Sequence, residues 1–172
     1  MEAVVKEVIQ ATSTVCLPRL LVKGMDFKPG QFVLVKSVID GKTVIKPYSI
    51  ASSPSVKDHI ELCIRKAGLV SSYMCSLKQG DKLDVMGPAG HFILKEPLLN
   101  DAIFVATGTG ISALLPMIDI VFEKGTDREV WLFFGNKSED EIIYRDRFEE
   151  LAKNKNFHFI PVLSRADEKW KG

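Results

Sequence analysis

The residues with the clearest chemical potential form a run in which an apolar strand, a glycine bend and a helix follow one another: Val105-Ala106-Thr107-Gly108-Thr109-Gly110-Ile111-Ser112-Ala113. Gly108 and Gly110 match a Gly-x-Gly-x-x-Gly/Ala fingerprint, in which bare backbone lets N–H groups approach a pyrophosphate at the positive end of a helix. The same spacing also serves a tight strand-to-helix turn that binds nothing. Dinucleotide folds usually place an acid on the ribose near the end of the second strand, yet Gly135-Asn136 stands there and Glu139 and Asp140 come later. Further on, Ser164-Arg165 offers a hydroxyl and a guanidinium suited to a ribose 2′-phosphate, or to a solvated surface pair.

A second constellation, Lys46-Pro47-Tyr48-Ser49-Ile50-Ala51-Ser52-Ser53-Pro54, is more polar than a plain barrel strand requires. Pro47 fixes the backbone, Tyr48 has a ring face able to stack on a flat aromatic ligand, and Ser49 offers a hydroxyl to a ring nitrogen. An edge strand carries the same composition. Gly68-Leu69-Val70-Ser71 opens a short helix whose first amides and serine suit an anion, or ordinary capping. His59, His91 and His158 are dispersed, without the i, i+4 spacing of a helical metal pair. No Ser/His/Asp or Cys/His arrangement is visible, and no metal is implied.

The elements that must position these groups change character along the chain. From Ala3 to about Val38 there are short β-branched runs broken by Gly24 and by Lys28-Pro29-Gly30. Further runs follow at Thr43 to Ile45, Tyr48 to Ala51, His59 to Ile64 and Lys82 to Met86, which together suggest an antiparallel barrel. Val70 to Leu77 reads as one short helix, a crossover inside that barrel. After Glu96-Pro97 come a strand at Ala102 to Ala106, a helix at Ile111 to Phe122, a strand at Val130 to Phe134, a polar helix from about Glu139 to Lys153 and a strand at Phe157 to Leu163. Strands alternating with helices imply parallel βαβ units. A boundary near Glu96 to Leu99 gives two domains, 1–97 and 98–172.

The 172 residues, 46% apolar and 26% charged, can bury a core. The 23 basic and 22 acidic residues are interspersed, so a nucleic-acid or anionic-membrane surface is not expected. Cys16, Cys63 and Cys75 cannot all pair and lack zinc or iron-sulfur spacing, which fits a reducing cytoplasm. Charges at Glu2, Lys6 and Glu7 stand where a signal peptide needs an apolar core, and no run reaches membrane-spanning length.

Taken in order, Lys46 to Ser52, Glu61-Leu62-Cys63-Ile64-Arg65, Gly68 to Ser71, Gly80-Asp81 and Gly87-Pro88-Ala89-Gly90-His91-Phe92 resemble the FAD module of the ferredoxin-NADP reductase superfamily. Thr107 to Ile111 and Leu163-Ser164-Arg165, with Trp170 and Gly172, resemble its nucleotide module. The resemblance implies an antiparallel β-barrel FAD domain followed by a partial α/β parallel-sheet nucleotide-binding domain. It sets Tyr48 against the isoalloxazine and Ser49 near flavin N5, as the catalytic pair. Lys46 stands where an arginine usually holds the FAD pyrophosphate, keeping the charge without the bidentate fork. Pro47 shapes the same strand. Cys63, Ile64 and Arg65 border the flavin or the incoming nucleotide, and Gly68, Val70 and Ser71 complete the pyrophosphate cradle. Thr107, Gly108, Thr109 and Gly110 take the nicotinamide nucleotide's pyrophosphate, with Ser164 and Arg165 near its adenosine ribose.

Two departures bear on that resemblance. Ser112-Ala113 replaces the usual Ala-Pro, with a proline only at Pro116, which implies a local change in the helix's first turn. The chain also ends before the family's Cys-Gly-Pro strand end, so the second domain is incomplete relative to the family, and truncation or a partner chain covering the exposed edge would account for it. The expected activity is hydride transfer from NAD(P)H to FAD, with electrons passing to a ferredoxin, a cytochrome, an oxygenase or a small acceptor. The alternatives are a non-catalytic FAD-binding or docking module and a cofactor-free interaction barrel.

Overall fold

A computed structural model describes residues 1–168 and Trp170 of the chain; Gly172 of the terminal motif lies outside the described residues. Seven antiparallel strands come first: β1 (Glu2–Gln10), β2 (Val15–Val22), β3 (Phe32–Ile39), β4 (Lys42–Ser49), β5 (Ile60–Glu61), β6 (Ile64–Arg65) and β7 (Lys82–Ala89). Their order is β4-β3-β7-β1-β2-β5, with β6 also on β2. The two ends of that path meet through an antiparallel bridge between Ile50 and Leu62 and through Ala51 N–H to the Glu61 carbonyl at 2.7 Å, which closes the barrel. Period-two burial explains the strands: Ala3 and Val5, Val33 and Val35, and Leu83 and Val85 point inward and are each 5% exposed or less.

The expected strand from His59 to Ile64 is two short pieces around the Leu62 bridge. The crossover helix, α1, runs Leu69–Ser76, one residue earlier than its apolar pattern suggests, and buries Met74 in the barrel core. Cys75 in its last turn is joined to Cys16 of β2 by a disulfide, with Cα atoms 5.7 Å apart. The cysteines were expected to be reduced; two strand and helix positions far apart in sequence are brought to bonding distance by the packing of α1 on β2.

Three parallel strands follow: β8 (Ala102–Thr107), β9 (Val130–Asn136) and β10 (Phe157–Leu163), in the order β10-β9-β8. A 3-10 turn over Gly108–Gly110 leads into α2 (Ile111–Lys124). Pro116 is accommodated inside α2, and in its first turn the Ser112 hydroxyl donates to the Thr109 carbonyl at 2.8 Å. The long polar helix expected from Glu139 is instead a 3-10 turn, Glu139–Glu141, and a separate α3 (Arg145–Leu151). Tyr144 breaks it with a left-handed φ of 60°, so that Ile142 and Ile143 can be buried.

Phe104, Ala106, Leu132 and Phe134 of the parallel sheet pack with Leu115, Ile118 and Phe148 of α2 and α3. Val15, Ala51 and Cys63 of the barrel join that same cluster, so apolar packing is continuous across the seam. The opposite sheet face is different. Registers pairing Ile103 with Trp131 and His158, and Val105 with Phe133 and Ile160, put an apolar set on one side, where Ile103 and Val105 are 67% and 69% exposed.

Candidate functional site

The barrel's seam gathers the first group of expected residues. Tyr48 and Ser49 end β4 just before the bridge at Ile50, and Cys63 and Ile64 follow its partner Leu62. Tyr48 is half-buried against the barrel core, and desolvation raises its phenol above the ordinary value, keeping it neutral. Lys46 and Pro47 precede it on β4 and are exposed. Pairing of Cys16 with Ile64 and of Val15 with Arg65 carries the seam into β6, and the chain then turns at Gly68 into α1.

At that turn Ser71 serves the backbone: its hydroxyl accepts from Ala67 N–H at 2.9 Å and donates to the Gly68 carbonyl at 3.0 Å. The serine is thus engaged by the backbone of the turn before α1 and caps no amide of the helix. The first amides of α1, at Leu69, Val70 and Ser71, precede the first helical acceptor bond, Ser72 N–H to Gly68 O, and form the donor set a phosphate needs.

The second group converges at the carboxyl ends of the parallel strands. A cavity of about 510 Å³ is lined by Arg65, Thr107, Gly108, Thr109, Gly135, Asn136, Lys137, Val162, Leu163 and Ser164. Open α/β sheets place ligands at this end of their strands. Two glycines make it passable. A Cβ on Gly135 would stand 3.0 Å from Thr107 Cγ2, and one on Gly108, whose φ is +48°, would stand 3.1 Å from Arg65 Nη2. Among the described residues the buried carboxamide oxygen of Asn136 has no hydrogen-bond partner, and it stands in a wall that also holds the cations Arg65 and Lys137 and the hydroxyls of Thr107, Thr109 and Ser164. This donor set fits a dinucleotide. After β10, Ser164 and Arg165 N–H groups bond the Asn136 and Lys137 carbonyls at 3.0 and 2.7 Å, and the Arg165 side chain enters an adjoining cavity with Glu139, Asp140, Arg145 and Trp170.

Buried carboxylates tie the two halves together beside this cavity. Glu141 accepts from Ser13, Thr14 and Arg65. Burial acts to raise its pKa, and the hydrogen bonds from Thr14, Arg65 and Ser13 outweigh it, so the carboxyl lies below its usual range. Glu61 accepts from Arg19 and from Tyr144. Cys63 is buried in between, and desolvation together with the Glu61 charge pushes its thiol up to about 12, which makes it a packing group rather than a nucleophile.

Of the expected residues, Arg65, Thr107, Gly108, Thr109 and Ser164 share the cavity, Arg165 lines its neighbour, and Gly110 caps α2 at the surface. Lys46, Pro47, Tyr48 and Ser49 lie on β4, Cys63 and Ile64 follow the bridge at Leu62, and Gly68, Val70 and Ser71 form the turn and first turn of α1. Thr14, Glu141 and Tyr144 escaped sequence reasoning, because partners more than 80 residues apart leave no local pattern. Asn136 was visible only as the residue standing in place of an acid.

Comparison with known proteins agrees with this division. Residues 6–93 match the oxidoreductase FAD-binding domain and residues 104–172 the oxidoreductase NAD-binding domain. The reductase component DmpP of phenol 2-monooxygenase from Pseudomonas sp. strain CF600 is 36% identical over 86% of this chain and 43% of its own length. Ferredoxin–NADP reductase B from Sorangium cellulosum strain So ce56 is 33% identical over 87% of this chain and 63% of its own. The chain thus spans 43% and 63% of the length of these two relatives, under two thirds in both. Among solved structures, the CS-b5R domains of human Ncb5or in the NAD+ form superpose with a TM-score of 0.85 at 30% identity, covering 100% of this chain and 54% of that one. An antiparallel sheet matched to the FAD-binding domain, followed by a three-stranded parallel sheet matched to the NAD-binding domain, agrees with these likenesses, and the chain belongs to the oxidoreductase FAD-binding domain family within the ferredoxin-NADP reductase superfamily.

Proposed function

We propose that the chain is the FAD- and NAD(P)H-binding part of a flavin-dependent oxidoreductase that passes hydride from NAD(P)H to FAD and electrons onward to a protein or small acceptor. The observation that carries this reading is Arg65, which ends the barrel seam containing Tyr48 and Ser49 and also lines the glycine-bend cavity. The two expected binding regions therefore adjoin.

Residues 1–97 form the FAD-binding domain and 98–172 the NAD(P)-binding domain in this reading. Lys46 and the first amides of α1 with Gly68, Val70 and Ser71 hold the flavin's phosphates, and Pro47 keeps the β4 backbone extended beside them. Tyr48 supplies a stacking face, Ser49 a hydroxyl for the ring's edge, and Cys63 and Ile64 the floor. Thr107, Gly108, Thr109 and Gly110 take the nucleotide's pyrophosphate, and Ser164 and Arg165 its adenosine end. Bound flavin supplies the redox chemistry; the chain's own contribution is orientation and exclusion of water. The related phenol 2-monooxygenase component favours an oxygenase as acceptor, with a ferredoxin or cytochrome as other protein acceptors. Among the described residues no helix is long and apolar enough to cross a membrane. NAD(P)H is an intracellular donor, so we place the reaction in the cytoplasm.

One observation favours a second reading, an FAD-binding module that does not oxidise NAD(P)H by itself: the uncovered apolar face at Ile103, Val105 and Phe133 calls for further polypeptide, from this chain's continuation or a partner. Purified protein separates these. Yellow protein whose flavin bleaches anaerobically with NADH or NADPH supports the oxidoreductase, and Tyr48→Ala should weaken flavin binding and alter its spectrum. Yellow protein that neither nucleotide bleaches supports the module. Colourless protein with no thermal shift on adding FAD refutes both.

A further inference from the structure

Arg65 is shared between two tasks in a way its guanidinium fork permits. Its Nη1 donates to Thr14 Oγ1 at 3.0 Å and to Glu141 Oε2 at 3.1 Å. The Thr14 hydroxyl, accepting from Arg65, lies 2.9 Å and 3.0 Å from the two Glu141 oxygens and donates to that carboxylate. Three side chains thus close a ring, two from the barrel and one from the turn after β9. Ser13 adds a donor to Glu141 at 3.2 Å, and Glu141 itself is 7% exposed. The ring engages Nη1, while Nη2 points at the glycine bend, 3.1 Å from where a Cβ on Gly108 would be.

We propose that Thr14 and Glu141 are positioning residues for the nucleotide: they fix one arm of Arg65 so that the other is presented to the dinucleotide's pyrophosphate at Gly108. This rests on the nucleotide reading of that cavity. A free arginine loses much rotamer freedom when it grips a phosphate, whereas one already held by a buried carboxylate and a hydroxyl loses little. Only a forked cation can be held and offered at once; a lysine has one head. Gly108 is needed for the same reason, since any side chain there would press on Nη2. Because the ring joins the barrel to the parallel-sheet half, it also sets the register in which a barrel cation meets a ligand seated on the other sheet.

The test is calorimetric binding of ADP-ribose, which carries the pyrophosphate without nicotinamide, to the full FAD-loaded chain. Thr14→Val changes neither charge nor shape and should weaken ADP-ribose roughly five- to tenfold, the range of the net contribution of a typical hydrogen bond. Glu141→Gln should do the same, and Thr14→Ser should bind like the parent. In an Arg65→Ala background, Thr14→Val and Glu141→Gln should cause no additional loss, a non-additivity that a merely structural role would not produce. Equal losses with and without Arg65, or full affinity in Thr14→Val, overturn the proposal. If Thr14→Val fails to fold, Glu141→Gln and its Arg65→Ala double variant decide alone. Arg65→Ala binding as tightly as the parent, or no ADP-ribose binding by the parent, instead refutes the nucleotide reading beneath it.

Discussion

The hydroxyl of Tyr144 donates to Glu61 Oε1 at 2.9 Å and so joins the turn before α3 to strand β5 of the barrel. Glu61 is buried, and its other oxygen accepts from Arg19 Nε at 2.7 Å. Burial, then the neighbouring Cys63 and Glu61, push the phenol well above its ordinary value, so it remains a neutral donor. The strained φ of 60° at Tyr144 is held in place by this bond and by the burial of Ile142 and Ile143.

Tyr144→Phe keeps the ring and removes the donor, leaving a buried carboxylate oxygen one partner short. The expected cost is about 1–3 kcal/mol, read as a lower urea midpoint at an unchanged slope. A midpoint equal to the parent's would mean that the seam is held by apolar contacts alone.

Gly30 makes a second crossing of the seam. Its φ is +94°, and a Cβ there would stand 2.0 Å from the Phe92 carbonyl oxygen and 2.2 Å from Met117 Cε of α2. The methionine end can swing away, but the carbonyl cannot. Gly30→Ala should therefore destabilise by more than about 2 kcal/mol, strain and overpacking together. Gly24→Ala is the control, because its φ of +70° carries the conformational cost while nothing lies within 4 Å. It should lose only about 1 kcal/mol. Similar losses in thermal or urea unfolding would show that backbone strain, not the close approach, decides both.

How much of this was legible follows from range. The order of strands and helices after Glu96, the bounds of β10 and the glycine bend at Gly108 are local patterns, and the structure reproduces them. The stretch from Glu139 to Lys153 has helical composition throughout, but its fate depends on a tyrosine whose partner, Glu61, is 83 residues away. The same holds for Thr14 with Glu141 and for Cys16 with Cys75: each residue alone reads as ordinary strand, turn or helix surface. Sequence patterns therefore mark the two binding regions, whereas the contacts that align them across the seam are tertiary.

The cysteines give a count that can be checked directly. With Cys16 and Cys75 joined, protein unfolded without reductant should show one reactive thiol, that of Cys63, and three after reduction. In the native protein Cys63 should react slowly, being buried with its thiol at about 12. Reduction opens a loop of 59 residues and should lower stability by roughly 2–4 kcal/mol. Three thiols before reduction would show that α1 is held on β2 by packing alone.

Asp119 predicts a pH dependence of opposite sense to most carboxylates. It is 3% exposed within α2, and desolvation lifts it to about 6 despite the attraction of Arg147. Its Oδ1 accepts from Arg147 Nε at 3.1 Å, while Oδ2 lies 2.7 Å from Nη2 as an ion pair without a well-directed hydrogen bond. In the unfolded chain the group titrates near 3.8. Between those two values the folded state binds more protons than the unfolded one, so this group's contribution to stability falls as pH rises through the window. Below about 4 the full contribution is present; above about 6 it is lost. Asp119→Asn removes the titration, and comparing variant with parent cancels every other carboxylate. The stability gap should move in the variant's favour by about 2–3 kcal/mol between pH 4 and pH 7 in urea unfolding. A gap that does not change with pH, or that moves toward the parent, would mean that Arg147 compensates the burial of Asp119 completely.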